Sequence, residues 1–579
     1  MPRPQPGPRR PRAAALLSAL ALAVGACGPV APAPSGLASP SGAGPSSSGT
    51  AVASPPACPT TAETAPERPW WSDRVFYEVF VRSFQDSDGD GIGDLRGLID
   101  RLEELNDGDP ATTDDLGVTG LWLMPVAEAL SYHGYDVTDY DAIEQDYGTS
   151  QDFTDLVAAA HERGIAIVVD FVPNHTSRDH PWFQDSLAGG AEHADWYLWE
   201  PTRPRVARSD GARVWHEAGG RYYYAYFWEG MPDLNLENPT VSSALDAVAR
   251  YWLDELGVDG FRIDAAKHLI EDGDELENTP ESHAWLQAFR DHTHAGHPEA
   301  LVLGEVFDPT IISSGYVRDG SLDLAFDFGF GSAAIISLNS RDAGSFAASL
   351  REIAEAYPED TLATFLTNHD QNRVIDQLGG DVEAARLAAT LLLTGPGVPF
   401  VYYGEEIGMS GRKPDERIRT PMRWDATEPA AGFSTVEPWQ PLSNDPPSVN
   451  VADEATDEDS LLATYRDLIH LRATQPALAS GDLLSVDAAD REVVAWLRSW
   501  AGKTVLVVAN VGKERVPSPQ LTLDEGPLCG APTAKRLWPL DPDAADVPGP
   551  AVTTSGGFEP YAPLASLGAR EAVVIGLYP

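Results

Sequence analysis

Eight short apolar, β-branched or aromatic runs recur after position 74, at 75–80, 120–125, 165–172, 258–263, 301–306, 322–328, 363–367 and 398–403. Stretches with helical spacing, such as 153–163 and 242–256, lie between most of them. Strands that are apolar on both faces and alternate with helices belong to a parallel sheet covered on both sides. Eight such units predict an α/β fold, a (β/α)8 barrel.

The spacing also predicts what departs from a plain barrel. The gap after the third run, 176–240, is far longer than an ordinary strand-to-helix connection. It is packed with aromatics (Trp182, Trp196, Trp199, Trp215, Tyr222 to Tyr224, Trp228), so it reads as an inserted subdomain. Most of those rings are expected to form its small core, although sugar faces also pack on such rings. The barrel is expected to occupy 70–175 and 241–478. Period-two segments separated by Gly, Pro and Asp turns then make 479–579 a C-terminal antiparallel β-sandwich domain.

The first 27 residues read as an address. Arg3, Arg9, Arg10 and Arg12 precede an apolar or small-residue segment, Ala13 to Ala26. That segment spans about 21 Å as a helix, short of the roughly 30 Å hydrocarbon core, so removal is expected rather than a permanent span. The Val24-Gly25-Ala26-Cys27 run resembles a bacterial lipobox, which makes Cys27 the candidate lipidation site; plain secretion is the alternative. The expected location is outside the cytoplasm, on a membrane through a lipid anchor. Residues 28–69 are rich in Pro, Ala, Ser, Gly and Thr and read as a flexible stalk. If Cys27 takes lipid, Cys58 and Cys529 remain, and an exported chain invites a disulfide between them.

Acidic residues number 88 against 40 basic ones, a formal net charge of -48 in 579 residues. Such a field repels nucleic acid and anionic membrane surfaces. No nucleic-acid partner is expected.

Barrel enzymes carry their chemistry at the C-terminal ends of the strands. Here four strand ends hold polar clusters: Asp170-Phe-Val-Pro-Asn174-His175, Gly260-Phe-Arg262-Ile-Asp264-Ala-Ala-Lys267-His268, Leu303-Gly-Glu305-Val and Phe365-Leu-Thr-Asn368-His369-Asp370. A lone acid at a strand end more often caps the next helix. Four coordinated ends instead bring several carboxylates to one mouth, which suits glycoside hydrolysis: one attacks the anomeric carbon, one protonates the leaving oxygen and one stabilises the oxocarbenium-like transition state.

In these motifs the chain resembles glycoside hydrolase family 13, the α-amylase family, from about residue 70 to 579. The resemblance implies a retaining mechanism with Asp264 as nucleophile, Glu305 as general acid/base and Asp370 as transition-state stabiliser. It further implies that Arg262 keeps Asp264 ionised and that His175 and His369 grip the sugar. Tyr135, in Tyr132-His133-Gly134-Tyr135, would stack under it with His133 alongside; Asp415 and Arg419 would bind the same sugar, and Lys267 and His268 the leaving-side glucose.

Asp86-Ser-Asp88-Gly-Asp90-Gly91-Ile92-Gly93-Asp94 sets carboxylates at alternate positions with glycine sixth, as an EF-hand loop does. Gly97 stands where an EF-hand has its bidentate glutamate, and the loop instead resembles the calcium loop of oligoglucosidase-like family members. Expected Ca2+ ligands are Asp86, Asp88, Asp90, Asp94 and the Ile92 carbonyl. By the same resemblance, a second Ca2+ would take Asn174, Asp233 and the His268 carbonyl.

Met231-Pro-Asp233-Leu-Asn235 lies between the forms typical of oligo-1,6-glucosidases and neopullulanases. With the lipobox it is similar to the group containing bacterial lipoprotein α-amylases. Endo-hydrolysis of α-1,4-glucosidic bonds in starch, glycogen and maltooligosaccharides by a monomer is the resulting expectation. Exo-acting α-glucosidases, oligo-1,6-glucosidases and trehalose-forming isomerases share the triad and remain alternatives. A non-catalytic glycan-binding subunit would have lost one of the three carboxylates, and all three are present.

Overall fold

The computed structural model describes residues 55–58, 67–540 and 546–579. The lipobox with Cys27 and most of the stalk fall outside them. Among the described residues, no helix is long and apolar enough to cross a membrane.

Eight strands form a closed parallel barrel: β1 (Phe76–Val79), β2 (Gly120–Leu123), β3 (Ala166–Phe171), β4 (Gly260–Ile263), β5 (Leu301–Gly304), β6 (Leu324–Phe326), β7 (Leu362–Phe365) and β8 (Val398–Tyr402). Each falls on one of the eight apolar runs, β7 beginning one residue ahead of its run, and neighbours in sequence are neighbours in the sheet, with β1 closing on β8.

Alternation along the strands separates two cores. Phe76, Trp122, Val168, Leu301, Leu303, Leu324, Phe326, Phe365 and Phe400 fill the barrel, and Phe76 stacks on Phe400 at 4.7 Å. Their neighbours, including Tyr77, Val79, Leu121, Leu123, Ile167, Val169, Phe261 and Ile263, pack outward with the helices. Gly120 has to be glycine, because a Cβ there would lie 2.5 Å from the Phe76 ring. The helices are capped conventionally: Thr149 and Asp152 form a capping box on Ser150–Glu162, and Asn238 caps Pro239–Asp254, whose proline sits in the first turn.

Between β3 and Pro239–Asp254 the chain forms a short helix, Pro181–Ala188, and a three-stranded antiparallel sheet of Trp199–Glu200, Arg221–Tyr224 and Trp215–Ala218. Phe183 packs on Tyr197, Trp199 and Tyr223 at its centre. Trp228 is 54% exposed and free of that core.

The C-terminal region is an antiparallel sheet of β9 (Asp482–Ala488), β10 (Val493–Trp500), β11 (Lys503–Asn510), β12 (Leu521–Glu525), β13 (Thr533–Trp538), β14 (Gly556–Tyr561) and β15 (Ala572–Tyr578), in the order β13-β15-β11-β10-β9-β12-β14. Period two decides its packing. Val494, Trp496, Val505 and Val507 join the core around the barrel, whereas Val493, Ala495, Leu497 and Leu506 enclose a second core with Leu521, Phe558 and Ile575. Cys58 and Cys529 are joined in a disulfide, Cα to Cα 5.0 Å, that ties the approach to the barrel onto this domain.

Candidate active site

The same alternation that fills the barrel with Phe76 and Trp122 places polar residues one layer nearer its C-terminal mouth. Glu78, Asp170 and Arg262 are fully buried there, with Asp170 paired in register with Arg262. Each catalytic carboxylate predicted for β4 and β5 begins where the ladder ends: the Asp264 amide donates to Phe171 O and the Glu305 amide to Ile263 O. Past Asp264 the backbone turns through Ala265 at φ +49°, a left-handed conformation that costs a non-glycine residue energy and clusters at functional sites. The turned Ala265 amide donates to Glu305 Oε2 at 3.3 Å.

One guanidinium organises the carboxylates. Arg262 Nη1 lies 2.7 Å from both Asp170 Oδ1 and Asp264 Oδ1, and Nη2 lies 2.8 Å from Glu305 Oε2. Asp170 and Arg262 are closed to solvent, while the Asp264 and Glu305 side chains keep 11% and 17% of their surface. The inner pair is therefore a scaffold and the outer pair can meet a substrate. Burial pushes the Asp264 carboxyl up, Arg262 opposes that, and Glu305 and Asp170 reinforce it; burial likewise takes Asp170 up to about 6. A single cation facing three buried acids favours keeping a proton among them.

Asp370 stands apart, with 46% of its side chain exposed. Burial works against its charge, but the His369 ring beside it, Arg419 Nη2 at 2.7 Å and Lys413 Nζ at 3.9 Å outweigh this and hold the carboxyl well below its usual range. Arg419 also donates through Nε to the His369 carbonyl and lies 3.5 Å from Asp415, which pairs with Lys413. Asp415 and Arg419 are thus brought to Asp370.

The remaining sugar-site candidates split. Tyr135 OH donates to Asp170 Oδ2 at 3.0 Å and lies 2.7 Å from His369 Nε2, with its ring stacked on His369 at 5.6 Å. The Tyr135 amide donates to His133 Nδ1. His175 is buried, its Nε2 has no protein partner, and burial takes its pKa down to about 3, so the ring is neutral. Lys267 is already occupied, by Asp308 and Glu277 at 2.9 Å each and the Phe307 carbonyl at 3.0 Å. His268 stacks on Tyr226 at 4.1 Å and is neutral, burial taking it down to about 4. Lys267 thus braces the rim at Phe307, which is 63% exposed.

At the acidic loop, Asp86, Asp88 and Asp94 can bring one oxygen each within 4.8 Å of one another. Asp90 stands outside this trio, and its Oδ1 accepts from the Ile92 amide. The loop is pinned across the molecule by Ser434 Oγ on Asp86 and by the Trp439 amide on Gly91 O. Three hard, anionic oxygens on a braced loop fit a divalent cation such as Ca2+. At the second predicted cation site, Asn174 Nδ2 donates to Asp233 Oδ2 at 3.1 Å, while Asn174 Oδ1 and Glu271 Oε1 are buried without partners. Burial and Glu271 push Asp233 well up, and burial takes Glu271 up to about 7. Two buried oxygens left unpaired, one amide and one acid, beside a second acid that repels the first, fit a cation between barrel and insertion.

Sequence reasoning missed Glu78, Asp170, Lys413 and Glu271 as site residues. For Glu78 and Asp170 the signal was available, since each is a lone acid at an inward position of an apolar strand. Lys413 and Glu271 come from loops whose course only the fold defines.

The model of the α-amylase catalytic domain matches residues 78–481. Alpha-amylase 3 of Dictyoglomus thermophilum is 38% identical over 452 residues, 77% of this chain and 86% of that protein. The trehalose synthase/amylase of Mycobacterium tuberculosis is 34% identical over 513 residues, covering 78% and 83%. Among solved structures, the α-amylase from H. orenii superposes with a TM-score of 0.73 at 37% identity, over 87% of this chain and 99% of its own. The barrel, the strand-end carboxylates and these matches agree, and the chain belongs to the α-amylase family, glycoside hydrolase family 13.

Proposed function

We propose that the protein is an α-amylase that hydrolyses internal α-1,4-glucosidic bonds of starch-like glucans with retention. The observation that carries this is the grouping of Asp264 and Glu305 on one guanidinium with Asp370 on a second. In this reading Asp264 attacks the anomeric carbon as Glu305 passes its proton to the departing oxygen. Water, deprotonated by Glu305, then releases the sugar from Asp264. Asp370, held anionic by Arg419, stabilises the developing positive charge, and neutral His175, whose Nε2 has no protein partner, faces a sugar hydroxyl. Retention requires the nucleophile and acid/base carboxyls to lie about 5 to 5.5 Å apart. Sharing Arg262 supports that closeness.

The endo-acting reading draws support from the 38% identity to an α-amylase. The trehalose synthase/amylase relative favours a second reading, isomerisation of maltose. Incubation with soluble starch, maltose and an aryl glucoside separates them. Fast viscosity loss with mixed maltooligosaccharides supports the α-amylase; trehalose from maltose, or glucose from chain ends, replaces it.

We further infer that Ca2+ is held by Asp86, Asp88 and Asp94, and a second ion by Asn174, Asp233 and Glu271. Bound there, it would lock the loop after β1 and the barrel–insertion junction; it would supply rigidity rather than a reaction step. The Val-Gly-Ala-Cys27 run supports export and lipid anchoring, which incorporation of labelled palmitate into wild type and not Cys27→Ala would test.

A further inference from the structure

One buried acid has no part in the chemistry above. Glu78 lies within β1, 2% exposed, on the inward side with Phe76 while Tyr77 and Val79 pack outward. Its Oε1 lies 2.5 Å from His369 Nδ1 and accepts from the His369 amide at 3.3 Å. From His369 the contacts continue without a break: Nε2 to Tyr135 OH at 2.7 Å, Tyr135 OH to Asp170 Oδ2 at 3.0 Å, and Asp170 Oδ1 to Arg262 Nη1 at 2.7 Å. Five side chains from β1, β3, β4, the β2 loop and the β7 end thus form one hydrogen-bonded chain.

Donor accounting gives that chain a direction. With its carboxyl ionised at neutral pH, above its value of about 6, Asp170 bonded to Arg262 is the anionic end and can only accept, so the Tyr135 hydroxyl donates to it. The Tyr135 oxygen must then accept from His369, which puts that proton on Nε2. In a neutral ring Nδ1 is consequently an acceptor, and Glu78 has to be the donor. The reverse direction requires a charged Glu78, a bare Nε2 and a protonated Asp170. The groups facing Glu78 are His369 and Asp370 from the β7 end, Arg262 on β4, Asp170 on β3 and Tyr402 on β8. Burial pushes Glu78 well above the carboxylate range against the pull of Arg262, and burial, helped by Arg419, Arg262 and Lys413 and opposed by Asp370, holds His369 well below the range of a free imidazole. Both effects favour a neutral pair.

We propose that Glu78 is a positioning residue: as an un-ionised acid donating to His369 Nδ1, it fixes the Nε2–H form of His369 and so aims the Tyr135 hydroxyl at Asp170. This rests on reading the site as the glycosidase centre proposed above. Its consequence is a Tyr135 ring and hydroxyl held in one orientation beside the sugar site and an Asp170 that keeps its charge next to Arg262. Loss of the Glu78 proton would reverse the chain and remove a donor from Asp170.

The test is 15N NMR on full-length enzyme labelled at histidine, with the His369 signal assigned by its loss in His369→Asn, alongside kcat and KM against pH for wild type, Glu78→Gln and Glu78→Leu. The expected result is a neutral Nε2–H ring in wild type from pH 6.5 to 8, kept in Glu78→Gln, whose amide donates at any pH, and lost in Glu78→Leu. Glu78→Gln should be at least tenfold more active than Glu78→Leu at pH 6, with its alkaline limb displaced upward from wild type. An Nδ1–H ring or an imidazolium in wild type overturns the proposal, as does a Glu78→Gln pH profile that matches wild type or an activity as low as that of Glu78→Leu. Should Glu78→Leu not fold, the NMR of wild type and Glu78→Gln decides alone. Absence of glucan turnover in wild type would sink the proposed function, and the His369 spectrum would still judge this inference.

Discussion

Arg262 Nη2 sits 2.8 Å from Glu305 Oε2 although the two residues belong to different strands, and the other terminal nitrogen of the same guanidinium holds Asp264. The proposed nucleophile and acid/base are therefore both held by one rigid, planar cation.

Removing any of the three outer carboxylates should abolish turnover while leaving the fold intact. Asp264→Asn, Glu305→Gln and Asp370→Asn are each expected to lower kcat on maltooligosaccharides by roughly a thousandfold or more. Circular dichroism should match wild type. A variant that keeps more than a tenth of the activity would remove its residue from the assigned role.

Arg262→Lys tests the spacer separately. A single ammonium cannot reach Asp170, Asp264 and Glu305 from one position, and an uncompensated buried charge costs about 3–5 kcal/mol. Both kcat and Tm should fall. Unchanged Tm with unchanged kcat would show that charge alone, without the fork, suffices.

Cation binding should appear as stabilisation. If the two oxygen clusters hold Ca2+, chelation lowers Tm and added Ca2+ restores it, by about 2.7 kcal/mol at a hundredfold excess over Kd. Asp86→Asn and Glu271→Gln should each remove part of the response. A melting curve indifferent to chelator and Ca2+ would rule out a structural ion at both places.

Behind the Asp370 segment, Glu405 and Glu406 are buried side by side, bonded to Tyr465 and Tyr77 at 2.8 Å each. Burial takes Glu405 up to about 8 and Glu406 up to about 7. Because these folded values exceed the unfolded one near 4.5, their contribution to stability is full below about pH 4.5 and is lost as pH rises towards 8. Stability to urea should decline across that window, and Glu405→Gln, which keeps an acceptor for Tyr465, should flatten the decline. An equally steep profile in the variant would place the titration elsewhere.

The linear pattern carried much of this molecule. Continuous apolar runs located all eight barrel strands, because a strand buried on both faces has few polar positions to spare. The rare polar residues at those strand ends, Asp264, Glu305, His369 and Asp370, stood out for the same reason, as did the alternate aspartates of the acidic loop. What the sequence could not fix was contact between residues far apart along the chain. That Arg262 is shared by three acids, that Lys267 is consumed by Asp308 and Glu277, that Lys413 joins Asp370 and that Glu78 reaches His369 all depend on barrel closure and loop courses. Periodicity assigns a side chain to a face; which partner waits there, and with it the charge each group bears, is decided only when the strands are brought into register and water is excluded.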